Sequence, residues 1–177
     1  MRMAVPRILL TGPPRAGKTT LVSRLAAELT AVGVSPGGFV TRDLRENGER
    51  VGFTVEEIGG PQALLAHVSL PEGPRVGRYR VDVAAFEALA VPAIERAMQQ
   101  SGVAIIDELG QMELFSTAFV RSFEELISRP IPLVATIHAR LHPITDAIKQ
   151  RPDIELLEVR PGNADELLAR LTSRLPG

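Results

Sequence analysis

Residues 7–20 read Arg-Ile-Leu-Leu-Thr-Gly-Pro-Pro-Arg-Ala-Gly-Lys-Thr-Thr. Arg7 to Thr11 is a short, mostly apolar run with the length of a buried strand. It breaks at Gly12, and helical spacing follows from Lys18. The break holds G-x-x-x-x-G-K-T, made by Gly12, Gly17, Lys18 and Thr19. A loop of this kind wraps a triphosphate in backbone N–H donors, and the start of the next helix adds partial positive charge. Gly12 and Gly17 let the backbone approach the anion where a Cβ would collide or forbid the dihedrals. Lys18 is placed to reach the β- and γ-phosphates, and the Thr19 hydroxyl to ligate Mg²⁺. The whole run Gly12, Pro13, Pro14, Arg15, Ala16, Gly17, Lys18, Thr19 and Thr20 is therefore the expected nucleotide-binding loop.

Outward from the loop, strands and helices alternate. Leu21, Val22, Leu25, Ala26 and Leu29 form a core-facing helical stripe over Thr20–Thr30, with Gly33 as a stop. Residues 37–58 instead hold two strand-like runs around Glu46-Asn47-Gly48-Glu49, a strong hairpin signal. Residues 59–77 are rich in Gly and Pro, with a short strand within Ala63–Ser69; Val76–Val81 reads as another strand. A helix is expected over Val83–Gln99, kinked or broken near Pro92. Val103-Ala104-Ile105-Ile106 is apolar throughout, as in a strand buried on both faces of a parallel sheet. Helix is expected over Ser116–Ser128, strand over Leu133–Ile137 and helix around Ile144–Gln150. A strand at Ile154–Val159 and a helix at Ala164–Leu175 complete the pattern. It predicts an α/β three-layer sandwich of the phosphate-loop type. Its sheet is mainly parallel, covered by helices on both faces and interrupted by one inserted antiparallel hairpin. Ligands then belong at the carboxyl ends of the strands.

The buried strand at 103–106 ends in Asp107-Glu108. An aspartate there holds Mg²⁺ beside the Thr19 hydroxyl, so Thr19 and Asp107 are the expected metal ligands. Glu108 is the expected general base or water-orienting group. Glu113 lies within reach of the same edge as a candidate second acid. Phosphoryl transfer also favours a cation over the transferred oxygens. Arg15, Arg42, Arg45, Arg78 and Arg80 are candidates, and Arg15, inside the loop, has the best position. The expected catalytic set is Lys18, Glu108 and Arg15. His138 follows the strand at 133–137, where a residue could face the γ-phosphate. The three histidines have no metal-ligand spacing.

At 177 residues, with 45% hydrophobic and 23% charged residues, the chain is expected to form one domain over 1–177. Net charge is −1 without a basic run, which argues against coating nucleic acid. There is no cysteine, so disulfide and thiolate chemistry are excluded. No apolar stretch approaches the roughly 20 residues of a membrane helix. The first strand begins too early for a signal peptide. A cytoplasmic location is expected.

Five stretches together resemble the cancer-related nucleoside triphosphatase family. They are GPPRAGKTT (12–20), GFVTRDLRENGERVGFTV (38–55), VGRYRVDVAAFE (76–87), IIDELGQMELFSTAFV (105–120) and ATIH (135–138). The resemblance implies a phosphate-loop domain that slowly hydrolyses several nucleoside triphosphates, ATP and GTP among them, with Mg²⁺. It implies that Gly12, Gly17, Lys18 and Thr19 bind nucleotide and that Asp107 and Glu108 form the acidic site. CTP and UTP are expected as further substrates, and a monomer is expected. The sequence departs from the family pattern in four places. Arg15 stands where glycine is usual and Gln111 where lysine is usual; Arg42-Asp43 replaces a pair of acids; Asn163-Ala164-Asp165 replaces Asn-Arg-Asp. The first two move positive charge within the site, so rate and base preference do not transfer. The same residues also fit a small-molecule or nucleotide kinase of this fold, or a nucleotide-dependent switch with weak hydrolysis.

Overall fold

The computed structural model describes residues 5–176. In chain order its elements are β1 (Arg7–Thr11), α1 (Lys18–Ala31), β2 (Pro36–Glu46), β3 (Glu49–Glu57), β4 (Gln62–His67), β5 (Arg75–Val76) and β6 (Tyr79–Val81). They continue with α2 (Val83–Gln100), β7 (Val103–Leu109), α3 (Thr117–Ser128), β8 (Leu133–Ile137), α4 (Pro143–Lys149), β9 (Glu155–Glu158) and α5 (Ala164–Thr172). All the strands join one sheet in the order β5-β6-β4-β3-β2-β7-β8-β1-β9. From β2 to β9 the neighbours are parallel, and from β2 to β5 they are antiparallel.

The parallel half follows from its composition. Along β1, β7 and β8 successive apolar residues point to opposite faces and all find cover. Leu9, Ala104, Ile106, Leu133 and Ala135 enter a core under α2, α3 and α4. Ile8, Leu10, Val103, Ile105 and Val134 enter a second core under α1 and α5. A continuous Val/Ile/Leu run is stable only when both faces are buried, and the three-layer sandwich supplies both.

The antiparallel half is larger than one hairpin. The β2–β3 turn is at Asn47-Gly48, where both residues have positive φ (50° and 81°), as a two-residue hairpin with right-handed twist requires. Strand β4 then adds to β3, and the run expected as one strand at 76–81 is the small hairpin β5–β6, reversing at Gly77-Arg78. Strand β2 joins the halves. Its first residues, Pro36–Phe39, pair with β7, whereas Phe39–Glu46 pair with β3. Thr41 thus lies just beyond the point where β7 leaves it.

Helix α2 runs through Pro92 without a break. The missing N–H removes one bond, at a cost of about 3 kcal/mol in an isolated helix. Phe86, Leu89 and Ala90 before it, and Ala93, Ile94 and Ala97 after it, are all buried on one stripe. Their burial holds both halves of the helix on the sheet. Asp82 caps its start by accepting from Ala85 N at 2.9 Å. Ser116, expected as the first residue of the next helix, is instead its cap. Its hydroxyl accepts from Phe119 N and donates to Glu87 on α2.

Phe39, Phe86, Phe119 and Phe123 tie β2, α2 and α3 together, with ring centroids 5.2–6.3 Å apart. Phe119 contacts each of the other three and is fully buried. Phe119→Ala should therefore lower unfolding free energy by about 3–5 kcal/mol in denaturant titration, at the large end for core truncations.

Candidate functional site

A cavity of about 670 Å³ lies over the carboxyl ends of the parallel strands. The sequence places its parts there by a simple rule: each parallel strand ends on that edge, and each chain reversal that follows presents polar residues. Pro14, Arg15, Gly17, Lys18, Thr19 and Thr20 line it from the loop after β1, and Glu108, Gln111, Met112 and Glu113 from the end of β7. His138 and Arg140 line it from the end of β8, and Thr41, Arg42, Asp43 and Arg45 from β2. Gly12, Pro13 and Ala16 form the back of the loop. Ala16 packs against the α1 core, and its N–H donates to the Pro13 carbonyl at 3.2 Å.

The two loop glycines are needed for different reasons. Gly17 is at φ 96°, with open space where a Cβ would stand, so its requirement is conformational. At Gly12 a Cβ would come within 2.5 Å of the Val159 carbonyl oxygen. That crowding comes from the chain itself, because Val159 N donates to Thr11 O at 2.7 Å and brings the end of β9 against the loop. Arg15 is at φ 64°, the left-handed region where a side chain is strained. This gives a backbone reason for glycine to be usual at that position.

Lys18 Nζ donates across the loop to the carbonyls of Gly12 (2.9 Å) and Pro13 (3.0 Å). Thr19 Oγ1, in the first turn of α1, donates to Asp107 Oδ2 at 2.8 Å, although β8 lies between β7, which carries Asp107, and β1, which leads into α1. The Asp107 carboxylate is buried and fully engaged. Oδ1 accepts from Thr136 Oγ1 at 2.5 Å, a short charge-assisted bond, and Oδ2 also accepts from the Thr41 N–H and hydroxyl. Burial pushes its pKa up, and the donors from Thr136, Thr19 and Thr41 oppose that shift.

Glu108 and Glu113 face one another around Gly110. A Cβ on Gly110 would stand 2.7 Å from Glu108 Oε1 and 2.9 Å from Glu113 Oε2. Glu113 is buried, and its Oε2 accepts from Gly110 N at 3.2 Å. Desolvation, then the charge of Asp107, raises the Glu108 pKa to about 7, with Lys18 acting in the opposite direction. Desolvation, then Glu108, holds Glu113 well above the usual carboxylate range. Three acids thus converge on one strand end. A carboxyl whose pKa lies near neutrality is suited to exchanging a proton with a water.

Of the other candidates, Arg42 and Arg45 reach the cavity and Arg78 and Arg80 do not. Arg78 pairs with Glu49 at 2.7 Å, and Arg80 donates to Gly73 O. Arg50 and Arg140 also line the cavity and were not anticipated. Arg50 was legible in the hairpin: a turn at Asn47-Gly48 brings it opposite Arg45. Arg140 carried no such signal. Its Nη1 donates to Gln111 Oε1 at 3.1 Å, which returns a cation to the place where lysine is usual. His138 lies on the cavity wall with Nε2 3.0 Å from Thr145 Oγ1, while its buried Nδ1 has no partner. Desolvation, then the charge of Lys149, depresses its pKa. His67 and His142 serve local structure. His67 Nδ1 faces Ser69, and His142 Nδ1 accepts from Ile144 N at the start of α4. Asn163 is used within the turn after β9, donating to Glu158 O and accepting from Arg160 N.

The donor set around Thr19 and Asp107 is all oxygen. Among the described residues no cluster of three or more His, Cys, Asp or Glu has metal-holding geometry. Two oxygen side chains, with the remaining positions left to water and phosphate, suit a hard cation such as Mg²⁺ and not the softer metals that take nitrogen or sulfur ligands. No helix among the described residues is long and apolar enough to cross a membrane.

The chain as a whole is similar to known proteins. A family model described as NTPase matches residues 7–172. The nucleoside-triphosphatase THEP1 of Methanothermobacter thermautotrophicus is 43% identical over 170 residues, covering 96% of this chain and 95% of that protein. The human cancer-related nucleoside-triphosphatase is 36% identical over 174 residues, covering 91% and 92%. The crystal structure of THEP1 from Aquifex aeolicus superimposes with a TM-score of 0.88 at 35% identity, covering 97% of this chain and 99% of that one. The chain belongs to the NTPase family, of which THEP1 and the cancer-related nucleoside-triphosphatase are members.

Proposed function

We propose that this chain is a slow, Mg²⁺-dependent nucleoside-triphosphatase of broad base range that converts ATP, GTP, CTP and UTP to nucleoside diphosphate and phosphate. It acts as a single-domain cytoplasmic monomer. The observation that carries the reading is the convergence of Thr19, Asp107 and Glu108 beside the phosphate loop, with Thr19 Oγ1 2.8 Å from Asp107. The relatives' names support the same activity.

Lys18 and the loop N–H groups from Gly12 to Thr20 hold the phosphates. To do so, Lys18 exchanges its bonds to the Gly12 and Pro13 carbonyls for phosphate oxygens. Thr19 and Asp107 would hold Mg²⁺, which when bound draws charge from the β- and γ-oxygens. Thr41 and Thr136 orient the Asp107 carboxylate and favour its ionised form by donating to it, against the effect of burial. Glu108 orients the attacking water and accepts its proton; its raised pKa makes it a stronger base than an exposed glutamate. Arg15 supplies positive charge to the transferred oxygens from within the loop.

A kinase would use the same acids on an acceptor hydroxyl, and a switch would couple the same slow hydrolysis to a partner. Phosphate release with no other substrate present separates hydrolysis from both. Release from all four nucleotides should require Mg²⁺ and stop with EDTA, and tight binding with negligible release would overturn the reading. Lys18→Ala should abolish nucleotide binding, as read by calorimetry. Glu108→Gln should retain binding while slowing turnover by about 10²–10⁴-fold, the usual contribution of a general base; turnover at the wild-type rate would remove Glu108 from this role. Thr136→Val, nearly isosteric, deprives a buried carboxylate of a donor. It should cost about 1–3 kcal/mol of stability in denaturant titration and weaken nucleotide binding more with Mg²⁺ than without.

A further inference from the structure

The cavity does not end at the phosphate loop, and its outer wall is built from other elements. Its 670 Å³ takes in the loop, where the nucleotide's phosphates would sit, and continues to residues of the antiparallel strands. Beyond Glu108 its wall is the antiparallel half of the sheet: Asp43 and Arg45 on β2, Arg50 and Phe53 on β3, and Val76 on β5. This wall combines an apolar floor with an excess of fixed positive charge.

The charge is arranged in a way that a folded chain alone would avoid. Arg45 and Arg50 are direct cross-strand partners, and like charges in that position repel. A single carboxylate, Asp43, serves both, at 3.1 Å from Arg45 and 3.6 Å from Arg50. One unit of positive charge is left over on a wall of the cavity. Arg50 is also held in place: its guanidinium lies 5.0 Å from the Phe53 ring centroid and 6.0 Å from that of Tyr79, and its Nε donates to Tyr79 Oη at 3.2 Å. A stacked, hydrogen-bonded arginine has lost its rotamer freedom before any ligand arrives, which makes it a prepared anion receptor.

We infer that this wall is a second ligand site, which takes a small phosphate- or phosphonate-bearing molecule with an aromatic or apolar body. The anion bridges Arg45 and Arg50, and the body lies against Phe53 and Val76. The ligand then sits on the Glu108 side of the nucleotide's terminal phosphate, a placement that rests on the loop holding nucleotide as proposed above. The same anionic chemistry would also suit the loop, so the test must fill the loop first.

The probe is phenylphosphonate, titrated by calorimetry into the full chain saturated with Mg²⁺ and a non-hydrolysable ATP analogue. The expected result is saturable 1:1 binding, weakened at least tenfold in the Arg45→Ala/Arg50→Ala double variant and in Arg50→Gln alone. Thermal melting of each variant reports that it is folded. In Lys18→Ala without nucleotide the probe should still bind with comparable affinity, because Lys18 belongs to the loop and not to this wall. Absence of binding to the nucleotide-loaded chain, unchanged affinity in folded arginine variants, or loss of the probe in folded Lys18→Ala would each overturn the inference. Nucleotide binding by Lys18→Ala is a separate readout: its persistence would count against the loop assignment and leave the arginine wall untouched.

Discussion

The Thr19–Asp107 hydrogen bond depends on nearly everything else in the molecule. It joins the first turn of α1 to the end of β7 across an intervening strand, β8. For the two oxygens to meet at 2.8 Å, β1, β8 and β7 must be in register and α1 must be seated on the core beneath it. Thr136 from β8 and Thr41 from β2 then complete a ring of donors around a carboxylate that would otherwise be an unpaired buried charge. An aspartate so deep is costly unless it is satisfied. The site is thus a consistency check on the parallel half of the sheet.

Most of the site was legible because short local patterns set it. The loop from Gly12 to Thr20 could be read from spacing and context, and Asp107 and Glu108 from a buried apolar run that ends in two acids. What escaped was set by pairing between distant segments. Thr41 and Thr136 are ordinary strand threonines in the sequence and reach Asp107 only because β2 and β8 flank β7. Gly12 had a signal, but its tightest contact, the Val159 carbonyl, comes from the other end of the chain. The pocket arginines divide in the same way. Arg45 and Arg50 follow from the hairpin turn, whereas the exclusion of Arg78 and Arg80 depends on where the β5–β6 hairpin folds. Of the kink or break expected near Pro92, the break does not occur, because local propensity was outweighed by the buried stripe on both sides of it.

The sheet divides the work. Its parallel half contributes strand ends to the cavity, and its antiparallel half contributes a strand face. Strand β2 belongs to both, which places Thr41, behind Asp107, four residues from Arg45.

The packing of Val159 against Gly12 has a consequence for the order in which the protein is made. Strand β1 and its loop are made before β8 and β9, yet among the described residues β1 pairs only with those two strands, more than 120 residues later. Loop closure over such separations is slow, and unpaired apolar strands invite misassociation meanwhile. During synthesis, then, the loop after β1 precedes the rest of the site and is among the last parts of it to be completed. A nascent chain stalled before residue 159 would carry the whole phosphate-binding motif and still lack its finished shape.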